Sequence, residues 1–211
     1  MATTSSASAV QLTRVHREIA VVEIQGTSPL IVHRWSEKAK AMMLGAQQGK
    51  KVAKTIKDPN QDFEDSRYKF NDGSGDGLPV AAFKRATVSG GGRMFGKSVK
   101  MTELRQTLFF VPDGYGTDGS QLVRLDSKPP TMREDMVRVG MGTADIRYRA
   151  TYEEWAATLR IQFVPSLIDL GSIVALIDAG GSNGVGEWRP EKNGSFGTYE
   201  VTGESTEEIE V

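Results

Sequence analysis

The stretch that most restricts what this chain can fold into is residues 180–197. Six of these eighteen residues are glycine, and a Trp, two bases and two acids stand among them. An apolar helix pattern runs into the stretch and a short strand pattern runs out of it. Glycine at this density permits positive φ, tight turns and close approach of another backbone. Two readings follow. It is either a long glycine-rich turn or a loop that lies against a polymer or a neighbouring subunit.

The flanks set the frame around it. Leu170, Ile173, Val174 and Ile177 share one face of a helix over residues 167–179. Ser166 is its expected cap, with Asp169 at the reciprocal position, and Gly180-Gly181 its stop. Before it, Trp155, Ala157, Leu159, Ile161 and Phe163 alternate with more polar residues, the pattern of a half-buried strand. Residues 197–201 read as a closing strand.

The N-terminal half has the same grammar. Residues 19–24 are apolar on both parities, as in a central strand, and Leu30-Ile31-Val32 extends it. Ser36 caps a helix over residues 37–46 whose apolar positions are Ala39, Met42 and Met43. Asp58-Pro59-Asn60 breaks the chain, and Phe63, Tyr68 and Phe70 are anchors. Pro79 opens a helix that buries Val80 and Phe83 and ends at Ser89-Gly90-Gly91-Gly92. Residues 107–111 are a short strand, and residues 112–142 are a hairpin-like excursion. This order predicts the α+β class, with a modified ferredoxin-like or RRM-like core. One domain would span about 15–202, with large insertions at about 45–78 and 112–145. A flexible arm at 1–14 would precede it and an acidic tail at 203–211 would follow.

Composition narrows the chemistry. No apolar run approaches the roughly 20 residues of a membrane helix, and Met1 to Val10 lack the layout of a secretory signal. The chain has no cysteine, which excludes disulfides and zinc-thiolate sites. A cytoplasmic protein of a bacterial host cell is the expectation. His16 and His33 are the only histidines and have no metal-ligand spacing. Neither a metal, another cofactor nor a catalytic group is expected. The run from Gly91 through Gly96-Lys97-Ser98 meets the bare phosphate-loop pattern, but it follows a helix rather than a strand. A nucleotide site is therefore the third choice.

Formal charge is -1, yet Glu204, Glu207, Glu208 and Glu210 crowd the C-terminus. Residues 81–105 hold Lys84, Arg85, Arg93, Lys97, Lys100 and Arg105 against the single acid Glu103. Bases neutralise phosphates and aromatic side chains stack on bases. Phe95 sits within that basic stretch. His33-Arg34-Trp35 and Trp188-Arg189 are two smaller mixed groups. Taken singly, these are a solvated face, a core aromatic and a turn. Taken jointly, they predict a module that binds RNA or single-stranded DNA and forms a homo-oligomer along it. The rival is a phage structural or assembly protein without nucleic-acid affinity.

The path from helix through Gly180-Gly181, then from Gly184-Val185-Gly186-Glu187-Trp188-Arg189-Pro190 to Gly194-Ser195-Phe196-Gly197, carries a resemblance. It is similar to the glycine-rich loop of the repeat-associated RNA-binding (RAMP) superfamily, and most to its backbone branch in CRISPR effectors. The resemblance implies a ferredoxin-like core with insertions that polymerises along guide RNA, with a protruding hairpin as a thumb. It assigns Gly184, Gly186, Arg189, Gly194 and Gly197 to the loop. Residues 79–85 become the basic helix facing RNA, and residues 114–140 the thumb. It covers about the last 50 residues directly. The acidic tail resembles instead those of single-stranded-DNA-binding and annealing proteins of bacteria and phages, on which protein partners dock.

Overall fold

The computed structural model describes residues 12, 14–50, 56–139 and 143–208. In chain order these form β1 (Glu18–Gly26), β2 (Leu30–Val32), α1 (Glu37–Gln47), α2 (Pro59–Asp65), β3 (Gly77–Pro79) and α3 (Val80–Arg85). A π-helical turn (Ala86–Gly91) leads to α4 (Gly92–Met94) and α5 (Met101–Thr107). Then come β4 (Phe109–Val111), β5 (Gly114–Tyr115), β6 (Gln121–Arg124), β7 (Asp126–Ser127) and β8 (Thr131–Val139). The chain closes with β9 (Thr143–Tyr152), β10 (Trp155–Phe163), α6 (Leu170–Asn183) and β11 (Tyr199–Glu208). Among the described residues no helix is long and apolar enough to cross a membrane. Most of the expected N-terminal arm, part of the first insertion and the last three residues lie outside the described residues.

The main sheet has the order β11-β1-β10-β4, antiparallel throughout, with β7 also on β10. Following β1, α3, β4, β10, α6 and β11 traces β-α-β-β-α-β, so the fold is α+β with a ferredoxin-like core. One face is apolar because side chains alternate: Ala20, Val22 and Ile24 meet Ile161, Leu159 and Ala157 across the β1–β10 register, and all are buried. Trp155 closes one end, its Nε1 donating to the Ser28 carbonyl at 2.9 Å. Tyr199 lies edge-on to both Trp155 and Phe83, at 6.1 and 6.2 Å between ring centroids.

Two helical segments cover that face, and glycine sets their distance. Gly180 and Gly181 do not stop α6; they lie inside it and are buried. Ser89 to Gly92 do not end the other helical stretch either, which continues through the π turn into α4. A Cβ on Gly180 would lie 2.7 Å from the Ala86 carbonyl oxygen, and one on Gly91 would overlap the Leu176 carbonyl. The backbones touch where side chains are missing. At the start of α6 the capping side chain is Asp169, accepting from Ser172 N at 2.8 Å, rather than Ser166. The carboxylate reaches the first free amides better from there.

The insertions differ more from expectation. β2 does not extend β1. It turns away at residues 27–29 and pairs with β9 in a second sheet, β2-β9-β8. Leu122 and Val123 are both buried, because β6 joins β3 and β5 in a third small sheet against the core. The hairpin is therefore β8–β9, beginning at Thr131 rather than Gly114. Asp58 accepts from Asn60 N and Gln61 N, so the predicted break starts α2. Phe63, Tyr68 and Phe70 do pack on or within the core. α1 forms as expected on its Ser36 cap, but Met42 and Met43 are exposed. Residues 203–208, expected within a tail, extend β11 along β1. Arg160 pairs with Glu207 there, spending a charge that would otherwise be free.

Gly91→Ala and Gly181→Ala are expected to lower unfolding free energy by about 1–3 kcal/mol or more through overpacking. A Cβ at Gly181 would overlap the Tyr199 carbonyl oxygen. At exposed Gly171, where the nearest atom is the Asp169 carboxylate at 3.3 Å, Ala should cost far less. Urea unfolding of the three variants checks this; equal effects at all three would contradict the close-contact account.

Candidate functional site

β2 and the residue before it bring the second sheet and the glycine-rich loop together. Glu187 N donates to the Ile31 carbonyl at 2.8 Å, and Gly197 N to the Pro29 carbonyl at 2.8 Å. Val185 N donates to the Gly197 carbonyl at 2.9 Å, closing the loop on itself. Gly186, at φ 75°, lets the chain pass beside the Ile31 carbonyl, where a Cβ would collide. Residues 180–197 thus form a folded-back loop stitched to β2, and one side of it faces the hairpin.

Arg149 of β9 is the link between loop and hairpin. It is buried, donates from Nη1 to Asp135 Oδ2 at 3.1 Å, and has Nη2 3.8 Å from Glu187 Oε2. Its guanidinium carbon lies 5.9 Å from the Trp188 ring centroid. Asp135 also accepts from Arg133 at 2.8 Å, and that guanidinium lies 4.9 Å from the Phe196 ring. A buried arginine is costly to desolvate. Here one buried carboxylate partner offsets the cost, while Nε is left without a partner.

Three hollows surround this link. One of about 290 Å³ lies between His33, Pro79, Arg85, Asn183 and Arg189. Arg85 and Arg189 both bind Glu191 there, at 2.8 and 2.7 Å. Burial pushes the Glu191 carboxyl up, but the two guanidinium groups outweigh it and hold it below the ordinary carboxylate range. A second hollow, of about 220 Å³, is lined by Arg138, Arg147, Arg149, Lys192, Glu187 and Trp188. A third, of about 330 Å³, holds Trp35, Lys57, Arg147 and Tyr148. His33 lines the first and third. Its Nδ1 is buried without a partner. Burial, then the charges of Arg149 and Arg147, push its pKa down to about 4. At neutral pH this imidazole is therefore a hydrogen-bonding group and not a cation.

Trp188 is the most unusual residue of the site. Its backbone has φ 51°, a left-handed conformation rare for a bulky side chain, and its side chain is 39% exposed. Phe196 N donates to its carbonyl at 3.1 Å. Gly194 packs so closely on its backbone that a Cβ would collide with it. The surrounding loop holds the indole out towards the hollow.

Of the residues singled out in the sequence, His33, Arg85, Trp188, Arg189, Gly184 and Gly186 converge here. Gly194 and Gly197 brace the loop from behind. Arg34 and Trp35 line the third hollow, with Arg34 Nε bound to the Asp65 carbonyl at 3.1 Å. Lys84 turns away, donating to the Arg105 carbonyl at 2.9 Å. Arg93, Phe95, Lys97, Lys100 and Arg105 belong to the α4–α5 stretch, and none lines the three hollows. Gly91 is helical (φ -58°) in the π turn, so the Gly91–Ser98 pattern makes no strand-to-helix phosphate loop. Arg138, Arg147, Arg149 and Lys192 were not among the expected site residues. The legible signal was Arg147-x-Arg149, which strand spacing puts on one face.

No protein-family model matches the chain, and no curated protein matches it. Its fold is similar to a solved structure of the type III-B Cmr-beta bound to cognate target RNA, with TM-score 0.45 and 11% identity over 92% of this chain; the chain spans 61% of that one. It is also similar to Cmr6 from Pyrococcus furiosus, with TM-score 0.42 and 9% identity, covering 90% of this chain and 100% of that one. Each is a likeness of fold, and no residue role is carried over from it.

A pH titration tests the state of His33. Because its folded pKa is depressed to about 4, the unfolded chain binds the proton first. Its contribution to stability is complete above the unfolded value of roughly 6.5 and is lost as pH falls from there towards 4. The His33 ring resonance should stay unshifted from pH 8 to 5.5. His33→Gln should flatten the acid slope of unfolding free energy relative to wild type. A His33 midpoint near 6.5 would contradict the buried, arginine-flanked environment.

Proposed function

We propose that this protein binds single-stranded nucleic acid, RNA or DNA, along the path from Arg85 past His33 to Trp188 and the β8–β9 hairpin, holding the strand rather than reacting with it. The observation that carries this is convergence. Bases from distant segments, Arg138 of β8, Arg147 and Arg149 of β9, and Arg189 and Lys192 of the loop, line one hollow with a partly exposed Trp held in a left-handed conformation, and Arg85 of α3 lines the neighbouring hollow that shares Arg189 with it. Basic side chains supply the backbone contacts, and an exposed indole supplies a stacking surface for an unpaired base. A single strand suits the site because a base must leave the stack to enter a hollow of about 220 Å³. Trp35 and Tyr148 continue the aromatic path in the next hollow.

Self-association along the strand is part of the same proposal. Met132 and Met136 share the hairpin face turned away from Arg149 and are exposed, the kind of apolar surface a second copy covers. Exposed Glu200 and Glu204 mark the free edge of β11. Such charges discourage strand-to-strand pairing there and leave an acidic surface for a basic protein partner.

Fluorescence anisotropy with labelled, unstructured RNA and DNA strands tests the reading across a salt series. The logarithm of the binding constant should fall against log salt by about 0.7 per phosphate neutralised. Arg138→Ala and Arg147→Ala should each flatten that slope by about 0.7. Absence of binding to either polymer at low ionic strength would overturn the reading. Together with association to assembled particles, that result would favour a structural protein.

A further inference from the structure

The hollow beneath Trp188 contains a carboxylate that phosphate binding does not need. Five bases line it, against the single acid Glu187. Repulsion between Glu187 and phosphate works against a pure backbone-binding role. Glu187 is paired with Arg149 by charge alone, without a hydrogen bond. Their closest approach is 3.8 Å, beyond a hydrogen bond, while Arg149 Nη1 is already bound to Asp135 at 3.1 Å. Among the described residues no hydrogen bond to the Glu187 carboxylate is formed. Its backbone is fixed, since its N–H is tied to Ile31, and its side chain is 43% exposed. The carboxylate is an acceptor with no hydrogen bond, on a fixed backbone beside the indole.

From this juxtaposition we infer that the Trp188 hollow is a base-reading subsite selective for guanine. The inference rests on the nucleic-acid reading above and adds a sequence preference to it. An ionised carboxylate only accepts hydrogen bonds. Guanine presents two adjacent donors, N1–H and N2–H, that match its two oxygens in a charge-assisted pair. Adenine and cytosine offer one amino group beside an acceptor nitrogen. Uracil and thymine offer one N–H flanked by two carbonyl oxygens that repel the carboxylate. In the assigned arrangement the base stacks on Trp188, Glu187 binds its Watson–Crick edge, and Arg138, Arg147 and Lys192 face the backbone. The left-handed conformation at Trp188 keeps the platform at a fixed position next to its neighbour Glu187.

The test is a competition series with uridine-rich strands carrying guanine, inosine, adenine or no substitution at isolated positions. Wild type should bind the guanine strand about tenfold tighter than the unsubstituted one. Inosine, which lacks the N2 amino group, should fall between them. Glu187→Gln should bring guanine and unsubstituted strands within about twofold of one another. Trp188→Ala should weaken all four. Equal, measurable binding of all four strands by wild type would overturn the guanine assignment and leave the binding groove standing. An unchanged guanine preference in Glu187→Gln would equally remove Glu187 as the reader. Failure of every strand to bind at low salt would overturn the groove itself.

Discussion

The structure depends on a contact between two backbones. Gly91 passes over the Leu176 carbonyl and Gly180 over the Ala86 carbonyl, with no Cβ on either side of the crossing. Closeness of this kind brings the π turn and α6 into direct van der Waals contact above the main sheet. It also fixes where α6 ends. Gly181 lets the last turn pass against Tyr199, the first residue of β11. The loop between them is therefore held at both ends, and its fold-back onto β2 follows from that confinement. The helical crossing and the candidate site are one arrangement seen at two places.

A second constraint is electrostatic. Arg149 is buried where hairpin, loop and β2 meet, and it is paired with Asp135. Its charge serves three neighbours: it balances Asp135, lies near the Trp188 ring and depresses the pKa of His33. A site built this way has bases along its rim and a neutral imidazole within. The rim suits phosphates, and the imidazole and the Glu187 carboxylate suit the polar edges of bases. Elsewhere the Arg67–Asp76–Tyr152 hydrogen bonds, with Tyr152 Oη 2.7 Å from Asp76, bind the first insertion to β9. That keeps the second sheet from swinging away from the core.

Local periodicity made the core elements legible. The alternation from Trp155 to Phe163, the apolar face of α6 and the Ser36 cap all stand in the structure as written in the residues. The β-α-β-β-α-β order also follows from them. What local pattern could not show was the role of Gly90-Gly91 and Gly180-Gly181. In isolation paired glycines read as helix ends; only a second backbone 2.7 Å from the missing Cβ explains why a helix runs through them. The same limit applies to the site. Trp188, Arg189 and His33 were legible as aromatic and basic groups, while the dense basic stretch from Arg93 to Arg105 lies outside the three hollows. Arg147-x-Arg149 was legible as one face of a strand, but its place opposite the loop follows from the pairing of β2 with β9. The acidic end looked like a tail because charge density hid its strand pairing with β1.

Photocrosslinking of a single strand bearing a reactive base analogue, with the attached peptides mapped by mass spectrometry, tests the central claim most directly. The groove account predicts adducts on Trp188, His33 and the Arg147–Arg149 segment of β9. Adducts confined to the Met94–Phe95 region and the α5 bases, with none on the loop or hairpin, would place the strand on the other basic surface and contradict it.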